Sequence, residues 1–171
     1  MSRQGFTLLE VVVVVAIMAI AAAAVSLHIQ GPLATARRDN VFSALRSFDA
    51  VTRAAARAQD RAFLLNVDLG SGRLERQPCG GAEAAAGFLA LPAGLRLTTV
   101  AVRQHIYSAG RVSILCSALG LTPSYAIEVD TGAGRRRWLV VAGLTGEAIE
   151  TADENQARAL LAGCGVRTVP G

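Results

Sequence analysis

The 171-residue sequence contains no lysine; its 17 basic residues are all arginine. A phosphate-binding loop that ends on lysine is therefore excluded, and the glycines at 70, 72, 80 and 81 lack dinucleotide-binding spacing. Only two histidines occur, His28 at the end of an apolar run and His105 in an expected loop, and neither has an acidic or cysteine neighbour at metal-ligand spacing. The three cysteines, Cys79, Cys116 and Cys164, form no CxxC pair and no zinc-ligand pattern. Charged residues make up 18% of the chain, and a net charge of +4 permits contact with nucleic acid or anionic lipid without arguing for it. The acids Glu128 and Asp130 alternate with apolar residues and are expected to face solvent. No catalytic constellation, cofactor site or metal site emerges, so no enzyme is expected. Aromatic residues are scarce at 5%, yet no stretch is poor enough in apolar residues to be disordered.

What the sequence has instead is one long hydrophobic run near its start. From Phe6 to Ile29 there are 24 residues and a single charge, Glu10. A helix of that length covers a bilayer core of about 30 Å, so the segment is expected to span a membrane. A carboxylate four residues into such a helix costs roughly 2.5 to 3.5 kcal/mol and calls for a partner or a purpose. Before the run stands Met1-Ser-Arg-Gln-Gly5, short and basic, with its small residue ahead of the apolar stretch. A secretory signal places its small-residue cleavage site after that stretch. Cleavage after Gly5 would remove the leader, keep the helix and leave a new amine on Phe6.

Gly5-Phe6-Thr7-Leu8-Leu9-Glu10 followed by an apolar run resembles the class III, prepilin-type signal of type IV pilins and type II secretion pseudopilins. The resemblance implies that a prepilin peptidase cuts between Gly5 and Phe6 and methylates the Phe6 amine. It also implies that Glu10 serves assembly. In a filament the N-terminal amine of a neighbouring subunit can satisfy the buried carboxylate and offset the cost of burying each charge alone.

The remainder of the chain is enough for one head domain. Gly31-Pro32 is expected to kink or restart the helix. Beyond it Val41, Leu45, Phe48, Thr52, Ala55, Gln59 and Ala62 recur at spacings of four and three, which predicts one buried face of a helix reaching to about Phe63. Arg46, Arg53, Arg57 and Arg61 would then form a solvated face, with Asp49 and Arg53 as a helical ion pair. After Arg61 the period becomes that of strands. Runs at 63–69 and 73–76 flank the turn Gly70-Ser71-Gly72, 78–87 reads as a loop, and 95–102, 111–116, 124–130 and 135–142 follow as strands of an antiparallel sheet. Thr151-Ala-Asp-Glu154 fits a capping box for a short helix at 153–162 that offers Ala157, Leu160 and Leu161 to the core. The predicted class is α+β: a long N-terminal helix packed on a small β-sheet head. Its segments are a leader at 1–5, a membrane and assembly helix at 6–29, an amphipathic half at 30–63 and the head at 64–171.

Tyr125-Ala-Ile-Glu-Val-Asp130, a turn at 131–134, Trp138-Leu-Val-Val141 and Leu144-Thr145-Gly146-Glu147 resemble the late hairpin and Thr-Gly turn of the H-type minor pseudopilins, the GspH family shared with the FimT-type minor pilin. The resemblance implies a minor pseudopilin of a type II secretion system, held in the inner membrane with its head in the periplasm, among other pseudopilins in a hetero-oligomeric filament. The alternative it implies is a minor type IV pilin that binds DNA for uptake. Arg135, Arg136 and Arg137 are the candidate phosphate contacts, set against a plainer reading as charge that protects a hairpin edge. Four acids after Leu144 face only Arg158 and Arg167, which weighs against DNA. An oxidising compartment would allow one disulfide in any of three pairings. Cys116 lies in an apolar run and reads as a buried thiol, whereas Cys79 and Cys164 sit beside glycines in loops that could meet.

Overall fold

The computed structural model describes residues 8–80, 87–132 and 134–163, without the side chains of 22–39. Gly5, Phe6 and Cys164, and with them the cleavage site and the Cys79–Cys164 pairing, lie outside the described residues. A single helix, α1, runs from Leu8 to Ala58 and spans two compact units, Met1–Asn40 and Val41–Gly171. It continues through Gly31-Pro32 with no break, so the expected restart there does not occur.

In the first unit the described side chains, apart from Glu10 and Asn40, are apolar, and all are exposed, including Leu8, Leu9, Val11 to Val15, Ile17, Met18 and Ile20. Among the described residues no helix is long and apolar enough to cross a membrane; the expected span at 6–29 extends beyond the described side chains.

The second unit begins where α1 acquires a buried stripe. Helix α1 ends at Ala58, short of the predicted Phe63, because the chain turns back on itself. Asp60 takes a left-handed φ of 45°, the Asp60 N–H bonds to the Arg57 carbonyl, and the Arg61 N–H bonds to the Ala56 carbonyl. This is a Schellman termination with aspartate where glycine is usual, and Asp tolerates that conformation better than most residues. The strands are β1 (Phe63–Asp68), β2 (Arg73–Pro78), β3 (Gly87–Ala90), β4 (Arg96–Val102), β5 (His105–Tyr107), β6 (Arg111–Cys116), β7 (Tyr125–Asp130), β8 (Arg136–Val141) and β9 (Ala148–Thr151), followed by helix α2 (Glu154–Gly163).

Instead of one sheet there are two, with orders β3-β2-β1-β6 and β5-β4-β7-β8-β9. All pairings are antiparallel, and the register places Phe63 between Pro78 and Cys116 in the first sheet and Glu128 opposite Trp138 in the second. The main core joins Val41, Phe42 and Leu45 of α1 to Leu65, Val67, Leu74, Val112 and Ile114 of one sheet and to Val100, Ile127, Val129, Leu139 and Val141 of the other. A second cluster joins Ala157 and Leu161 of α2 to Ala101, Ala126, Trp138 and Val140 on the opposite face of the five-stranded sheet.

That sheet is therefore covered on both faces, and its central strands cannot keep a solvated side. Glu128, expected in solvent, is 4% exposed. Its carboxylate accepts hydrogen bonds from the Thr98 and Thr99 hydroxyls at 2.6 Å each, beside a register shift in β4 that brings both threonines to it. Helix α2 starts differently from the capping box. Asp153 Oδ1 accepts the Asn155 N–H, and Thr151 Oγ1 accepts the Asp153 N–H, so aspartate is the cap. Ala157 and Leu161 are buried as expected, and Leu160 is half-buried.

Candidate assembly segment and anion-binding site

Glu10 lies in the first described turn of α1, exposed, within the apolar surface of the first unit. A helix that is apolar all round is stable only where something apolar surrounds it, either lipid or other helices. The arrangement can supply a carboxylate to a neighbour inside such a packing.

The second candidate, Arg135-Arg136-Arg137, follows the turn between β7 and β8. The Thr131 hydroxyl and N–H both bond to the Arg135 carbonyl, and Asp130 Oδ1 accepts the Gly132 N–H, which fixes the turn. Strand β8 lies between β7 and β9, but β9 pairs only with residues 138–141, so among the described residues Arg136 and Arg137 stand on a stretch of β8 that β7 alone pairs. Two of the three face internal carboxylates. Arg136 is 3.8 Å from Glu128, and Arg137 is 3.4 Å from Glu150 and lies over the Phe42 ring at 5.6 Å. Glu150 also pairs with Arg46 of α1. Of the three, Arg135, exposed at the turn, is the one without a carboxylate partner among the described residues.

Arg53 was expected on a solvated face and is instead 4% exposed. Its Nε donates to Asp49 Oδ2 at 2.6 Å, one terminal nitrogen donates to the Gly143 carbonyl at 2.7 Å and the Gly120 carbonyl at 3.2 Å, and the other donates to Thr122 Oγ1 at 2.7 Å. The Tyr125 hydroxyl donates to the second oxygen of Asp49 at 2.8 Å. Burial, and then the Asp49 charge, push the Tyr125 hydroxyl well above its ordinary pKa. This cluster ties α1 to the loops at 117–124 and 142–147. The buried stripe is accordingly 41, 42, 45, 49, 52, 53 and 56, rotated toward Arg53 relative to the expected one; Gln59 is exposed. The signal that could have located it is the buried tyrosine hydroxyl, which needs an acceptor, together with an Asp and an Arg four residues apart on one helix.

The two described cysteines, Cys79 and Cys116, belong to no ligand set among the described residues. Cys116 is buried, as read, and burial raises its thiol pKa; Cys79 is half-buried, with its N–H bonded to the Ala62 carbonyl. His105 lies on β5 and not in a loop. Among the described residues no group of histidine, cysteine and acidic side chains could hold a metal ion.

Comparison with known proteins agrees with these two parts. Residues 1–26 match the family model of the prokaryotic N-terminal methylation motif. The minor pseudopilin EpsH from the type 2 secretion system of Vibrio cholerae has a similar structure, with a TM-score of 0.55 and 10% sequence identity over 69% of this chain and 97% of that one. No curated protein matches the sequence. The chain thus joins a prepilin-type signal to an α+β, type IV pilin-like fold.

Proposed function

We propose that the protein is a minor pseudopilin, a structural subunit of the periplasmic pseudopilus of a type II secretion system that helps to export folded proteins across the outer membrane. The observation that carries this reading is the exposed apolar surface of α1 around Glu10, within the residues that match a methylation motif. That surface needs lipid before assembly and neighbouring helices afterwards. In this reading Gly5-Phe6 is the cleavage junction, Phe6 carries the methylated amine, and Glu10 pairs with the amine of an adjacent subunit. The helix anchors the chain once in the inner membrane, with the head in the periplasm. The structural similarity to EpsH, together with the internal pairing of Arg136 and Arg137, supports secretion over DNA uptake.

The test is Glu10→Ala. The variant should be processed and inserted like the wild type but fail to co-assemble with the other pseudopilins, scored by cross-linking in cells. Normal co-assembly would remove the amine-pairing account. The DNA alternative is tested separately by a salt titration of DNA binding to the full chain and to a variant with Arg135, Arg136 and Arg137 changed to Ala. Binding that falls with salt and is lost in the variant would restore that reading.

A further inference from the structure

Helix α2 covers only part of the outer face of the five-stranded sheet. It packs on β7, β8 and β9, and beside it, over β4 and β5, a cleft of about 840 Å³ remains open. The register pairs Ala101 with Ile106 across the two strands, so both side chains point to the same face of the sheet. Both line the cleft, and Leu161 and Ala162 of α2 line it too. Ile106 and Leu144, two of its apolar lining residues, are 50% and 73% exposed.

Two features distinguish this cleft from a gap left by loose packing. Among the described residues strand β5 pairs only with β4, which leaves its other edge without a described partner and able to accept another strand. The lining residues also include Arg103, His105 and Arg158 and no carboxylate. Arg158 is neutralised by Glu154, whereas Arg103 has no carboxylate partner among the described residues. Arg103 stands at the first position of the two-residue turn between β4 and β5 with a φ of 55°, where glycine is the residue that fits without strain. An arginine held in that conformation, at a sheet edge beside an open apolar cleft, incurs backbone strain to present a cation there.

We infer that the β5 edge and this cleft bind a short, extended, acidic segment of another protein by strand addition. The segment pairs its backbone with β5. Its alternate side chains enter the cleft against Ile106, Leu161 and Ala162, and a carboxylate meets Arg103. The three-residue length of β5 limits the segment to a few residues and guards against indiscriminate sheet pairing. This inference does not depend on whether the filament serves secretion or DNA uptake.

The experiment uses the full chain in phosphatidylcholine nanodiscs and a fluorescein-labelled peptide, Asp-Glu-Val-Thr-Val-Thr-Glu-Asp, beside a counterpart with lysine at every acidic position. Fluorescence anisotropy should show saturable binding of the acidic peptide and at least about tenfold weaker binding of the lysine one. Arg103→Gly, which glycine's freedom at this φ allows to fold, should weaken the acidic peptide by about tenfold, and Arg103→Glu should reverse the preference. Absence of saturable binding, equal binding of the two peptides, or unchanged binding by Arg103→Gly would overturn the inference. Binding that appears only after residues 164–171 are removed would also overturn it, by showing that the cleft belongs to the chain's own C-terminus.

Discussion

A guanidinium removed from water survives only where each side of its fork finds an acceptor, and Arg53 finds four: Asp49, Thr122 and the carbonyls of Gly120 and Gly143. Arg53→Leu would strip a buried carboxylate of its counter-charge and should cost about 3 to 5 kcal/mol, measurable by urea denaturation of the head's secondary structure. Tyr125 allows a check by pH. Burial holds its folded pKa well above that of a free tyrosine, so the folded state holds its proton where the unfolded state has lost it. Stability from this group is complete below pH 10 and declines as pH rises further. In a Tyr107→Phe variant, which leaves the buried Tyr125 as the one tyrosine, an alkaline titration should show tyrosinate only on unfolding. Tyrosinate in that variant while it is still folded would contradict the cluster. The ion pair of Asp49 and Arg53 was legible in the sequence; its burial was not. Periodicity alone could not show that the loops after β6 and β8 close over that side of the helix.

At the scale of elements, the glycine turns and strong strands were legible because their signals are local. Gly70-Ser71-Gly72 and the turn at 131–134 connect the strands they were expected to connect. The short strands β3, β5 and β9, of four, three and four residues, were not found, because so few residues establish no period and a neighbouring strand decides them. The helix end was misplaced because Asp60 occupies the position where glycine would have announced a stop. Gly143 shows how closely the elements approach. A Cβ there would lie 2.1 Å from the Thr122 carbonyl oxygen, on backbone that cannot move aside cheaply. Gly143→Ala should therefore destabilise the head by on the order of 3 kcal/mol and displace the carbonyl that Arg53 uses. Unchanged thermal unfolding of that variant would show that the 142–147 loop is not held against 122–124.

The whole molecule divides its chemistry between two units. The first is a helix whose described side chains at 8–21 are exposed and, Glu10 apart, apolar; the second is a head with its own core, held by Arg53 and closed on one sheet face by α2. Of the first unit, the helix and the methylation motif were legible, because an apolar run behind Gly5-Phe6 is a strong local signal. The second was legible as a class, a helix with antiparallel strands, but not as two sheets, because strand order is set by long-range pairing that no local pattern records. We propose that the chain is processed at Gly5-Phe6 and kept in the membrane by the helix that follows. The most direct test is the intact mass of the protein recovered from membranes of cells with and without prepilin peptidase, beside Gly5→Val. The account predicts a chain beginning at Phe6 and carrying one added methyl group, seen only with the peptidase and lost in Gly5→Val. A chain that keeps Met1 to Gly5 in the presence of the peptidase, or one cut beyond the apolar run, would contradict it.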